Sequence, residues 1–141
     1  MTHVDIHRDA RELYQAYLAL DTAVGESGLD KALQELVKLR ASMVNGCAYC
    51  VDMHSRDALE LGEDERKLIA VSAWRESPLF SPRERAAFAF TDAVTRLDGL
   101  DEAYAGAAQE FGDQELTALL YAIVTVNGWN RLAIATHMVR T

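Results

Sequence analysis

Leu33-Gln34-Glu35-Leu36-Val37-Lys38-Leu39-Arg40-Ala41-Ser42-Met43-Val44-Asn45-Gly46-Cys47-Ala48-Tyr49-Cys50-Val51-Asp52-Met53-His54 settles the structural class of the chain. Leu33, Leu36, Val37 and then Met43 or Val44 recur at helical spacing. Asn45-Gly46 ends that helix, because the pair readily adopts positive φ. Cys47 follows at once, and Val51, Met53, Ala58 and Leu61 carry a second helical pattern as far as Gly62. A thioredoxin-like Cys-x-x-Cys would need a strand before it, within a βαβ pattern. Here the residues before Cys47 read as helix, so that fold is set aside.

The flanking sequence is helical too. Tyr14, Tyr17, Leu18 and Val24 predict a helix from about Asp5 to Val24, broken by Gly25-Glu26-Ser27-Gly28. Ser27 or Asp30 caps the next, which starts near Leu29. Beyond Gly62 a short helix covers Asp64 to Trp74, and Glu76 to Phe80 form a loop. Ser81-Pro82-Arg83-Glu84 combines a capping box with proline at the first helical position. The helix it opens carries Phe88, Phe90, Val94 and Leu97 and ends before Gly99. Asp101 caps another, stopped at Gly112, and Asp113 caps the last, from about Gln114 to Met138. Leu116 to Val126 is apolar all round, which predicts a helix buried at the centre. The expectation is all-α, with about seven helices in one domain spanning residues 1–141. No repeat, low-complexity tract or linker is visible.

Bulk composition narrows the function. Half of the 141 residues are hydrophobic, and a domain of this size buries about 68–70% of its unfolded surface. The net charge is −8, against a phosphate-binding surface of clustered Lys and Arg. No nucleic-acid partner is expected. The N-terminus lacks the apolar region of a signal peptide. Leu116 to Val126 is shorter than the roughly 20 residues that span a bilayer. A soluble, cytoplasmic protein with no membrane partner is the expectation. A structural disulfide is disfavoured in a reducing cytosol. The two cysteines are therefore thiols with a task, or inert core residues.

Their setting favours a task. On a helix, residues three, four and seven apart share a face, so Cys47, Cys50 and His54 form one stripe. Cysteines one turn apart can form a disulfide in a frayed first turn. Cys47 at a helix start meets free N–H groups and the helix dipole, which favour the thiolate. His54, one turn beyond Cys50, can accept a thiol proton and then stabilise a thiolate. A thiolate, a resolving thiol and a base are the parts of a two-cysteine redox enzyme. Glu35, flanked by Leu33, Leu36 and Val37, would orient the imidazole if brought near it, as the third member of a triad does.

Other readings of the same residues stay open. Cys47, Cys50, His54 and Glu35 could be four zinc ligands, although three crowded on one short helix suit a tetrahedron poorly. The cysteines could also be inert in a non-catalytic, oligomeric binding protein. A redox pair could serve a disulfide reductase or sensor without peroxide turnover. His137 reads as a surface or interface histidine, and His3 and His7 sit in a frayed N-terminus. Asn127 and Asn130 on an apolar helix need hydrogen-bond partners, a structural role. Trp74, Trp129, Phe88 and Phe90 read as core or subunit interface.

Glu35, eleven intervening residues, then Cys47-x-x-Cys50-x-x-x-His54 resembles the alkylhydroperoxidase D-like proteins of the carboxymuconolactone decarboxylase superfamily. The runs Glu35 to Ser42, Asn45 to Cys50, Asp52 to Ser55 and Asn127 to Leu132 all carry the likeness, which extends from about Tyr14 onward. The resemblance implies an all-helical fold assembled as a homo-trimer or hexamer. No metal or other cofactor is expected. It implies a peroxidase reducing hydroperoxides. By carry-over, Cys50 attacks the peroxide, Cys47 resolves the sulfenic acid, and His54 with Glu35 relays protons. A dithiol or lipoylated protein then reduces the disulfide. Helix-start position alone would instead make Cys47 the more acidic thiol. Some peroxidase members carry a second histidine where this chain has Tyr49, a far weaker base, which bears on rate and choice of reductant. The decarboxylase branch generally lacks the cysteine pair.

Overall fold

The computed structural model describes residues 1–141. Seven α-helices follow in order: α1 (Arg11–Gly25), α2 (Lys31–Asn45), α3 (Ala48–Glu60), α4 (Glu65–Ala70), α5 (Pro82–Arg96), α6 (Leu100–Glu110) and α7 (Asp113–Ala135). A single 3₁₀ turn at Val71–Ala73 extends α4. There are no strands, as expected.

The local signals explain most boundaries. Asp30 caps α2 by accepting from the Leu33 N–H at 2.8 Å, so Ser27 is not the cap. Ser81 and Glu84 form the expected capping box at α5, with Pro82 in the first turn. Gly46 closes α2 in the left-handed conformation, φ 72°. Asp101 and Asp113 are not caps. Gly99 and Gly112 hold those positions without a side-chain bond, and the aspartates lie in the first turns, where the helix dipole favours negative charge.

Both ends of the chain depart from expectation. α1 starts at Arg11, because Asp5 and Asp9 bind the preceding turn instead. Asp9 Oδ2 accepts from the Asp5 N–H at 2.9 Å, and Asp5 Oδ1 accepts from the His7 N–H at 2.8 Å. Such bonds compete with helix. α7 ends at Ala135 rather than Met138. His137 turns left-handed, φ 55°, and returns Met138 toward the cysteines, against which it packs.

The central helix is α2, not α7. Leu29, Leu33 and Val37 pack with Phe90, Phe111, Leu119 and Ile123, bringing together α2, α5, α6 and α7. Leu36 and Leu39 pack with Ala58, Leu68, Trp74, Phe80 and Phe88. Apolar residues on both sides of α2 therefore meet partners. α7 buries one stripe, Leu116, Leu119, Ala122, Ile123 and Val126. Tyr121 and Val124 on its other side are about half exposed. A helix on the outside of a small bundle has only one neighbouring face, whatever its composition. No helix is long and apolar enough to cross a membrane.

Candidate active site

The turn between α2 and α3 builds the site. Gly46 reverses the chain, and the Cys47 N–H donates to the Ser42 carbonyl at 2.9 Å. Cys47 then caps α3, its Sγ accepting from the Cys50 N–H at 3.3 Å. Cys47 and Cys50 are joined in a disulfide, with Cα atoms 5.3 Å apart. Both are buried, with Ala133 and Met138 packed around them.

Asparagines fix this turn to α7. Asn45 Nδ2 donates to Asn127 Oδ1 at 2.9 Å and Asn130 Oδ1 at 2.8 Å. Asn130 Nδ2 donates to Ser42 Oγ at 2.9 Å, and that hydroxyl donates to the Lys38 carbonyl at 2.7 Å. Asn130 and Ser42 are fully buried, and satisfied polar networks of this kind specify one register. The structural role expected of Asn127 and Asn130 is what the geometry provides.

His54, one turn beyond Cys50, is buried. Its Nδ1 lies 2.9 Å from Glu35 Oε2. Burial pushes the Glu35 carboxyl up, but the His54 hydrogen bond and the Lys38 charge outweigh it and hold it below the usual range. Glu35 is thus a carboxylate and can only accept, so the proton sits on Nδ1. Nε2 is buried and without a partner. A buried polar atom lacking a partner requires a functional account.

That account begins with a cavity of about 210 Å³ lined by Cys50 and His54. Tyr14, Tyr49, Met53 and Trp129 make its wall mostly apolar. Cys47 does not line it. A larger cleft of about 500 Å³, lined by Arg75, Asp92, Arg96 and Glu102, shares no residue with it and holds no thiol, hydroxyl or imidazole. The four predicted residues therefore meet: Cys47 with Cys50 in a disulfide, His54 with Glu35, and Cys50 with His54 in one cavity.

Three cavity residues escaped sequence reasoning. Lys38 lies 3.5 Å from Glu35 Oε1, and only its spacing of three from Glu35 hinted at this. His7, expected in a frayed end, lines the cavity, its ring 4.7 Å from that of Tyr14. Trp129 is cavity wall rather than core, with Tyr17 edge-on at 4.5 Å. His137 is exposed, as expected of a surface residue.

A cation could find donors here. Glu35, His54 and Asp57 bring ligand atoms within 4.8 Å of one another. The four-ligand zinc set is not assembled in this state, because both thiols are spent in the disulfide.

The model of the carboxymuconolactone decarboxylase family matches residues 11–93. The chain belongs to that family. Within it, the chain is an alkylhydroperoxidase D-like member. It is 31% identical over 135 residues to the uncharacterised Bacillus subtilis protein YdfG, covering 94% of this chain and 92% of that one. A solved Agrobacterium tumefaciens protein of unknown function, provisionally assigned as the antioxidant defence protein AhpD, superposes with TM-score 0.95. It is 35% identical, covering 100% of this chain and 99% of that one. The debrominase Bmp8, solved in complex with 2,3,4-tribromopyrrole, shares the fold with TM-score 0.83. It is 21% identical over 91% of this chain and 70% of that one.

Proposed function

We propose that this chain is a thiol-dependent peroxidase that reduces hydroperoxides through Cys50 and Cys47. One observation carries the reading. Glu35 holds the His54 ring at Nδ1, the opposite nitrogen Nε2 is buried without a partner, and His54 lines the same cavity as Cys50. That is the arrangement of a base waiting for a thiol proton.

The electrons and protons balance as follows. His54 Nε2 takes the Cys50 thiol proton. The Cys50 thiolate attacks one peroxide oxygen, the O–O bond breaks, and the alcohol leaves with the proton returned by His54. Cys50 is now a sulfenic acid. Cys47 sulfur attacks Cys50 sulfur, the S–O bond breaks, and hydroxide leaves as water with the Cys47 proton. The product is the Cys47–Cys50 disulfide. A dithiol or lipoylated protein returns both thiols by exchange and becomes a disulfide itself. Cys50 rather than Cys47 is the attacker, since Cys50 lines the cavity. The exposed Leu13, Tyr121 and Val124 support assembly with further copies of the chain.

The fold also serves a debrominase, so fold alone does not select the reaction; the cysteine pair and His54 are what support the peroxidase reading. The test is a single turnover of fully reduced protein with hydroperoxide and no added reductant. About one peroxide should be consumed per pair of thiols lost, and Cys50→Ser should abolish the loss. Thiols that persist at modest peroxide excess would overturn the reading and point to disulfide exchange or metal binding.

A further inference from the structure

Lys38 is only 8% exposed, and a buried ammonium needs a partner. Its partner is Glu35 Oε1, 3.5 Å from Nζ, while Oε2 of the same carboxylate serves His54. Glu35 is therefore shared between an ammonium and an imidazole. Lys38 also lines two cavities, the cysteine pocket and a polar cleft of about 290 Å³ that includes Glu35, Asp57 and Glu60.

We infer that Lys38 is a positioning residue that sets the basicity of the Glu35–His54 pair and keeps His54 available as a neutral base. This rests on the peroxidase reading and deepens it. A carboxylate committed wholly to one imidazole stabilises its charged form, since an opposite charge within about 4–6 Å shifts protonation by 1–3 units. An imidazolium cannot take the Cys50 proton. The Lys38 ammonium cancels part of the Glu35 field and repels a second proton on the ring. It thereby favours the neutral ring, the form that can accept the Cys50 proton.

Other charges face the same spot. Asp57, on α3, approaches both Glu35 and His54 and favours the charged ring. Asp21 on α1 and His7 line the pocket beside Lys38, as do the Tyr14 and Tyr49 phenols and Cys50. Glu60 and Lys31 share the outer cleft. Among these groups, Lys38 is the cation bonded to Glu35.

The test uses Lys38→Met, which keeps the stem, with Lys38→Gln as a second neutral variant and Lys38→Arg as the rescue. In single-turnover thiol oxidation, the acid limb of the rate profile should move up by about one pH unit in both neutral variants. Lys38→Arg should restore it. In a Glu35→Gln background, the shift caused by Lys38→Met should be smaller, because only the direct repulsion between ammonium and ring remains. An unmoved limb, or an equal shift in that background, would overturn the inference. The His54 ring resonances of the disulfide form titrate without peroxide, so they judge Lys38 separately. If wild type proves inert to peroxide but those resonances titrate at higher pH in Lys38→Met, the peroxidase reading falls and the Lys38 inference stands. If they do not move, the inference falls.

Discussion

His54 Nδ1 lies 2.9 Å from Glu35 Oε2, nineteen residues earlier in the chain. The bond ties α3 to α2 across the Gly46 turn and fixes which ring nitrogen is left unpartnered. Glu35→Gln keeps the shape of the side chain and removes its charge. The rate of thiol oxidation in a single turnover is expected to fall by about 10²-fold, with helix content unchanged by circular dichroism. An unchanged rate would mean that the ring works without its carboxylate.

The same bond predicts how stability depends on pH. The folded Glu35 carboxyl is held below its ordinary range, because His54 and Lys38 outweigh burial. Its ionisation therefore contributes stability above the ordinary carboxylate range, and that contribution is lost as pH falls through the folded value. The difference in urea midpoint between wild type and Glu35→Gln should be largest near neutrality and shrink below about pH 4. A difference that grows on acidification would reverse the assigned sign.

Gly128 on α7 lies under Tyr17 of α1. A Cβ there would overlap the phenol oxygen and come within 2.8 Å of a ring carbon. The Tyr17 hydroxyl donates to the Thr125 carbonyl at 2.6 Å. Gly128→Ala must displace the phenol, break that bond and disturb the Trp129 wall of the cavity, at a cost of about 1–3 kcal/mol. Tyr17→Phe in that background removes the closest contact, so the two changes should combine to less than their sum in denaturant unfolding. Strict additivity would place the clash elsewhere.

Arg40 and Asp92 form a buried two-point pair, Nε to Oδ1 at 2.7 Å and Nη2 to Oδ2 at 3.1 Å. Trp74 Nε1 donates to the same carboxylate at 3.2 Å. Asp92→Asn strands the Arg40 charge, with Arg75 and Arg96 nearby, and should cost about 3–5 kcal/mol. Arg40→Met with Asp92→Leu should recover much of that loss. A double variant as unstable as the single one would show that the pair contributes more than it costs to bury.

The helices were legible because their punctuation is local. Gly46, Asp30 and the Ser81–Glu84 box act within one turn of themselves. The Cys47, Cys50 and His54 stripe was legible because one helix carries it. Glu35 was placed by its likeness to a family motif, since nothing in its own neighbourhood distinguishes it from other helix glutamates. Lys38, His7 and Trp129 were missed because their roles depend on which helices neighbour them, and periodicity does not encode neighbours. The centrality of α2 was hidden for the same reason. Its charged residues find buried partners, Lys38 with Glu35 and Arg40 with Asp92, so it reads as less apolar than α7.

The central claim is that Cys50 becomes the sulfenic acid. It is tested most directly in Cys47→Ser, where no resolving thiol remains. That variant, reduced and treated with one equivalent of hydroperoxide and a 1,3-dicarbonyl trap, should carry one adduct on the peptide containing Cys50, read by mass spectrometry. An unmodified Cys50 in this variant, with an adduct on Cys47 in Cys50→Ser, would contradict the account and make Cys47 the attacking thiol.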